Sequence, residues 1–178
     1  FVNSGISCYG RSPERHRQRG TMAHNSVCID NENSSEVWDG FRVAKRARPI
    51  NLKTKFTSNI IDISCAHDGY TRLKGKPIHS RNFLFKDNSL TIHDSIIGKF
   101  NSATAFFHLH PKINVSIDAS KKNGTIFIDE KNFINFELNH GMAFTKKTTY
   151  HPEFGLSQNN KCMVINFINN EIKIKFIW

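Results

Sequence analysis

From residue 59 to the C-terminus the chain is a series of short apolar runs separated by Asn, Asp and Gly. In Glu171-Ile172-Lys173-Ile174-Lys175-Phe176 the apolar and charged residues alternate strictly. A period of two places successive side chains on opposite faces of an extended strand, so such a segment buries one face and wets the other. Candidate strands are Asn59–Ala66, Ile78–Phe85, Ser89–Ile97, Thr104–Leu109, Asn114–Asp118, Thr125–Ile128, Asn132–Leu138, Met142–Thr149, Cys162–Phe167 and Glu171–Trp178. Lys86-Asp87-Asn88, Lys122-Asn123-Gly124 and Ile168-Asn169-Asn170 read as tight hairpins, because Asn, Asp and Gly tolerate turn dihedrals. Strands at this spacing predict an all-β fold, an antiparallel β-sandwich of stacked sheets with roughly ten or more strands. No helix longer than about two turns is expected.

Residues 1–58 read differently, as a loop-rich part facing a cleft, with residues 59–178 forming the regular strands of the same domain. Gly5–Gly20 is polar, rich in Ser and Arg, and without a clear period; Ser34–Gly40 is a second loop. Between them Ser26-Val27-Cys28-Ile29 is a short, buried-looking strand. Loops carried on a rigid sandwich are the usual seat of binding chemistry. The opening Phe1-Val2-Asn3 reads as the end of a strand, so a domain truncated at its N-terminal edge is expected.

A chain of 178 residues can bury a core without staples. Cys28, Cys65 and Cys162 lie in apolar runs and Cys8 is remote from them; buried free thiols are preferred over disulfides, and the compartment stays open. The formal charge of +10 favours a polyanionic partner, but nucleic acid, anionic lipid and acidic polysaccharide all qualify, and a merely solvated basic surface is the bland alternative. Nucleic acid has no further support, since no recognition motif is present. No stretch approaches the ~20 apolar residues of a membrane span.

The segment richest in chemistry is Ser12-Pro13-Glu14-Arg15-His16-Arg17-Gln18-Arg19-Gly20-Thr21-Met22-Ala23-His24-Asn25-Ser26-Val27. Arginine forks match carboxylates and sulfates bidentately, and an imidazole beside them can bind a metal or move a proton. Continuing through Ser34-Ser35-Glu36-Val37-Trp38, Gly40-Phe41-Arg42-Val43 and Arg46-Ala47-Arg48-Pro49, the order and spacing resemble the heparinase II/III-like family. Ala66-His67-Asp68-Gly69-Tyr70, Ile78-His79-Ser80-Arg81, Phe107-His108-Leu109-His110-Pro111 and Tyr150-His151-Pro152-Glu153-Phe154-Gly155 extend the resemblance over essentially the whole chain.

The resemblance implies the C-terminal β-domain of a bacterial lyase that cleaves uronate-containing polysaccharide, such as a glycosaminoglycan or alginate, by β-elimination. It implies an upstream α/α toroid supplying most catalytic groups, so that this chain alone is inactive, and a periplasmic or cell-envelope setting. It assigns catalytic roles to His24 and Tyr9. Substrate contact falls to Arg15, Arg17, Arg19, Asn25, Trp38, Arg42 and His67. Arg15, Arg17 and Arg19 alternate, which suggests a shared face. His24 resembles the last ligand of a structural zinc site whose Asp position falls on the uncharged Asn3, so no metal or other cofactor is expected, with zinc or calcium as the weaker alternative. Alternatives for the residues singled out are ordinary: a loop anchor for Tyr9, a hydrogen-bonded imidazole for His24, a turn cap for His67, packing for Trp38 and a core or interface pair for His108 and His110. Alternatives for the whole are a non-catalytic glycan-binding or scaffold sandwich, or a lyase-like protein of capsule or lipopolysaccharide metabolism.

Overall fold

A computed structural model describes residues 1–178. The strands are β1 (Val27–Ile29), β2 (Pro49–Phe56), β3 (Ile60–His67), β4 (Ile78–Lys86), β5 (Ser89–Ile97), β6 (Ala103–His108), β7 (Asn114–Ile117), β8 (Asn123–Phe127), β9 (Phe133–Leu138), β10 (Met142–Tyr150), β11 (Gln158–Asn166) and β12 (Glu171–Ile177). They form two antiparallel sheets, one in the order β1-β6-β11-β10 and one in the order β2-β3-β4-β5-β12-β9-β8-β7. The all-β sandwich expected from the alternation is what the chain forms.

The core lies between the sheets and follows the period of two. Ala103, Ala105 and Phe107 of β6 face Ile172, Ile174 and Phe176 of β12, with Met163 and Ile165 beside them. Ile92 and Ile96 continue the layer on β5, and the residue between them on the same face is Asp94, fully buried. The eight-stranded sheet is wider than its partner. Along its inner face Phe56 is largely exposed and Ile61, Phe83 and Phe85 are partly so, leaving an apolar face that the smaller sheet does not cover.

The turn at Asp87 joins β4 to β5 as expected, with Asp87 at a φ of +52°. Two of the expected hairpins differ. Residues 168–170 carry the chain from β11 in one sheet to β12 in the other, so they make a crossover instead of a hairpin. Asn123 and Gly124 belong to β8 itself, and the β7–β8 turn is built by the Asp118 carboxylate, which accepts from Ser120, Lys122 and Asn123. The stretch expected to be loop-rich also contains β2, an edge strand that starts on Pro, where no partner needs its missing N–H. It also holds a two-turn helix, α1 (Pro13–Arg19). Ser12 caps α1 by accepting from the Arg15 amide, Pro13 opens it and Glu14 sits in its first turn. All four cysteines are free, with Cys28 and Cys162 buried and their thiols pushed by burial to about 11.

Candidate functional site

Helix α1 runs into a single 3-10 turn, Thr21–Ala23, and delivers His24 at its end. Thr21 holds the neighbouring loop against this turn: its amide donates to Asn33 Oδ1 (2.7 Å) and its hydroxyl oxygen accepts from the Ser34 amide (2.8 Å). A depression of about 280 Å³ opens there, lined by Arg19, Thr21, His24, Ser26, Ser34 and Ser35. It shares Ser26 and Ser34 with a second depression of about 450 Å³ that continues past Asn25 to His67, His79 and Arg81. The two make one groove with two arginines and no carboxylate in its lining. Charge and hydroxyls together suit an anionic, hydroxylated ligand.

His24 meets Asn3, the position to which the family resemblance assigned its partner: Nδ1 lies 3.0 Å from Asn3 Oδ1. The Gly5 amide also donates to that oxygen, so the His24 proton sits on Nδ1 and Nε2 is left as an acceptor. Burial lowers the His24 pKa, which keeps the ring neutral near pH 7. As a metal site the pair is poor. An imidazole and an uncharged amide are bonded to each other, and no three His, Cys, Asp or Glu side chains converge. Asn25 is fully used by the fold, donating to the Val2 carbonyl and accepting from the His108 amide.

The three alternating arginines do not share a face, because their segment is helical and a two-residue step turns roughly 200° about a helix axis. Arg15 is buried, donates from Nε to the Gly40 carbonyl and lies over Tyr9 and Phe41. Arg17 grips Glu14 with two hydrogen bonds and also reaches Thr149 and His151. That grip holds the Glu14 carboxyl down at about 2. Only Arg19 lines the groove; it is anchored to the Asp39 and Arg42 carbonyls. Tyr9 stands apart in an exposed aromatic cluster, 4.7 Å from the Phe154 ring and 5.7 Å from Phe41. Trp38 is exposed with the Arg42 guanidinium over its face at 5.1 Å.

His67 belongs to a hydrogen-bonded chain. The Gly69 amide faces its Nδ1, its Nε2 lies 3.2 Å from His79 Nδ1, and His79 Nε2 lies 2.7 Å from Asp94 Oδ1. Arg81 closes the chain with two hydrogen bonds to Asp94, at 2.7 and 2.8 Å, and a third to the Asn25 carbonyl. Since an amide N–H can only donate, the direction is set from one end: two neutral imidazoles pass their protons toward an ionised carboxylate. Burial would raise the Asp94 pKa, but Arg81 and His79 bring it to about 2. Burial and the neighbouring His79 lower His67 to about 4. Both His67 nitrogens are therefore committed inside the protein. His79, Arg81 and Asp94 received no role from the sequence. Their only signal was the His-x-Arg alternation, and the carboxylate opposite it is set by strand register.

These features define a two-sheet antiparallel β-sandwich with a basic groove at its rim, where a neutral histidine is held. Residues 1–175 match the heparinase II/III-like, C-terminal family, and the chain belongs to that family. The heparan sulfate lyase HepC of Pedobacter heparinus has the same fold over 98% of this chain and 28% of its own, with a TM-score of 0.78 at 15% identity. A heparinase III is similar over 100% of this chain and 28% of its own, with a TM-score of 0.75 at 16% identity. The chain thus spans little more than a quarter of these structural relatives. No curated protein sequence matches.

Proposed function

We propose that this chain is the β-domain of a lyase that cleaves uronate-containing anionic polysaccharide by β-elimination, and that it is inactive without an upstream α/α toroid. The observation that carries the reading is the groove: Arg19, which pairs with no carboxylate, beside a His24 whose Nε2 is free to accept, with Arg81 farther along already paired to the buried Asp94. In the elimination a base takes the proton alpha to the uronate carboxylate. The C–H electron pair becomes a C4–C5 double bond, the C4–O bond breaks, and the leaving oxygen takes a proton. Cationic and hydrogen-bonding groups on the carboxylate stabilise the enolate that develops. In this reading Arg19 neutralises substrate charge and His24 accepts a hydrogen bond or proton at the cleft wall. The exposed apolar face of β2–β4 supports a second domain packed against the sandwich.

A metal-free site is part of the proposal; metal analysis of the purified protein tests it. The exposed Tyr9–Phe41–Phe154 cluster and the Trp38–Arg42 pair favour glycan contact without chemistry as the second reading, because aromatic faces stack on sugar rings. Ultraviolet absorbance separates the two, since elimination creates a conjugated unsaturated uronate. Incubated with heparan sulfate or alginate, the chain alone is expected to bind without raising absorbance. The longer protein, with its upstream part, is expected to raise it. Rising absorbance with this chain alone refutes the need for the toroid; no binding and no rise with the longer protein refute the function.

A further inference from the structure

A second cavity lies on the other side of the 3-10 turn, between α1 and the outer face of the four-stranded sheet. It holds about 380 Å³, a size at the small end of ligand pockets and suited to one sugar ring instead of a chain. Its floor follows from strand register. His108, Cys162 and Lys146 pair directly across β6, β11 and β10, so they stand in a row on one face, with Phe106 two residues along β6. Arg17 and Glu14 of α1 form the wall above.

Three groups in this lining keep an unused polar atom. Arg17 uses Nε and Nη2 on Glu14, Thr149 and His151, and its Nη1 has no partner. Lys146 is exposed and pairs with no carboxylate. His108 is 2% exposed, and its Nε2 must carry the proton because it faces the Met22 carbonyl at 2.9 Å. In the neutral ring Nδ1 is then a lone-pair acceptor, and it has no hydrogen-bond partner. A buried acceptor left unpaired costs about 1–3 kcal/mol, so it is a feature that needs a donor. Glu14 in the same lining offsets the Arg17 charge, so Lys146 supplies the excess positive charge; with the free Arg17 Nη1 donor, one acceptor and an apolar floor of Phe106, Met22 and Ala23, the lining matches a ring that carries one acid group, hydroxyl donors and a C–H face.

We propose that this cavity binds a single acidic sugar residue, separately from the His24 groove, with Arg17 and Lys146 on the acid and His108 accepting from a ring hydroxyl. The choice of an acidic sugar rests on the function proposed above; the cavity itself does not.

Amide chemical-shift mapping of the whole chain with D-glucuronate tests it, with glucose and acetate as controls. Glucuronate is expected to shift the amides of Phe106, His108 and Lys146, to bind at least about tenfold more tightly than either control, and to lose about that factor in Lys146→Glu. His108→Phe, which keeps a ring and removes the acceptor, is expected to reduce the difference between glucuronate and acetate. Equal shifts with acetate mean a simple anion hole and overturn the proposal, as does a glucuronate response confined to Arg19, His24 and Ser34. Mapping also separates the two claims. Loss of polymer binding at the groove with these shifts intact sinks the proposed function alone; the reverse pattern sinks this one.

Discussion

Replacing Arg81 by Met removes the cation from a carboxylate that water cannot reach. Asp94 is fully buried and takes two hydrogen bonds from Arg81 and one from His79. Breaking a buried pair by deleting one partner costs about 3–5 kcal/mol, because the remaining charge stays uncompensated. Arg81 also satisfies the Asn25 carbonyl at 2.6 Å and lies over the Phe107 ring at 5.3 Å, which places the expected loss toward the upper end. The variant can relieve the charge by protonating Asp94 itself, whose pKa burial raises once Arg81 no longer holds it down. The deficit is therefore largest at about pH 8 and shrinks toward pH 6, opposite to the trend of the parent protein. Urea unfolding followed by tryptophan fluorescence at both pH values measures it, and a cycle with Asp94→Asn isolates the pair. A loss under about 1 kcal/mol at both pH values, or no coupling in the cycle, would refute the ionised Asp94–Arg81 pair as the centre of the network.

The parent protein should lose stability on acidification in two windows. His67 is held at about 4 against an ordinary 6.5, so the unfolded state binds the extra proton first and stability falls from about pH 6.5 to about pH 4, by at most about 3 kcal/mol. Asp94, held at about 2 against 3.8, adds a further loss below about pH 4; His67→Gln should flatten the first window in urea titrations and leave the second. Tyr70→Phe removes the buried hydroxyl that donates to the Val27 carbonyl at 2.7 Å and should cost about 1–2 kcal/mol by thermal or urea unfolding. Asn3→Asp places a charge 3.0 Å from His24 and should raise zinc affinity at least about tenfold in competition with a chelator; unchanged affinity would show that Asn3 does not limit the site. Gly124→Ala puts a methyl 2.2 Å from the Ser116 carbonyl and 2.6 Å from the Phe136 ring, and should destabilise the β7–β9 corner, read by faster amide exchange there.

Much of the fold was legible because strand character is local. Ser89–Ile97 matches β5 residue for residue, and Glu171-Ile172-Lys173-Ile174-Lys175-Phe176 shows its buried face directly. β2 carries the same alternation in Ile50, Leu52 and Phe56, but Pro49 and the positive φ of Asn51 at its bulge disguise it. Helix α1 was also legible in principle, from the Ser-Pro-Glu start.

The sequence by itself determined the sandwich, the basic character and the family, since these depend on period, composition and the order of short segments. Tertiary structure alone decided which side chains meet. Arg17 finds Thr149 and His151, Arg19 turns to the loop at Asp39, and Asp94 faces Arg81 only because β4 and β5 pair in one register. A shift by one residue would send Asp94 and Arg81 to opposite faces of the sheet, and nothing local to either strand records that choice. His24 and Asn3 lie between these cases. The family resemblance implied a common site, and the fold brought them to hydrogen-bonding distance, but whether the imidazole kept a free nitrogen depended on the Gly5 amide beside them.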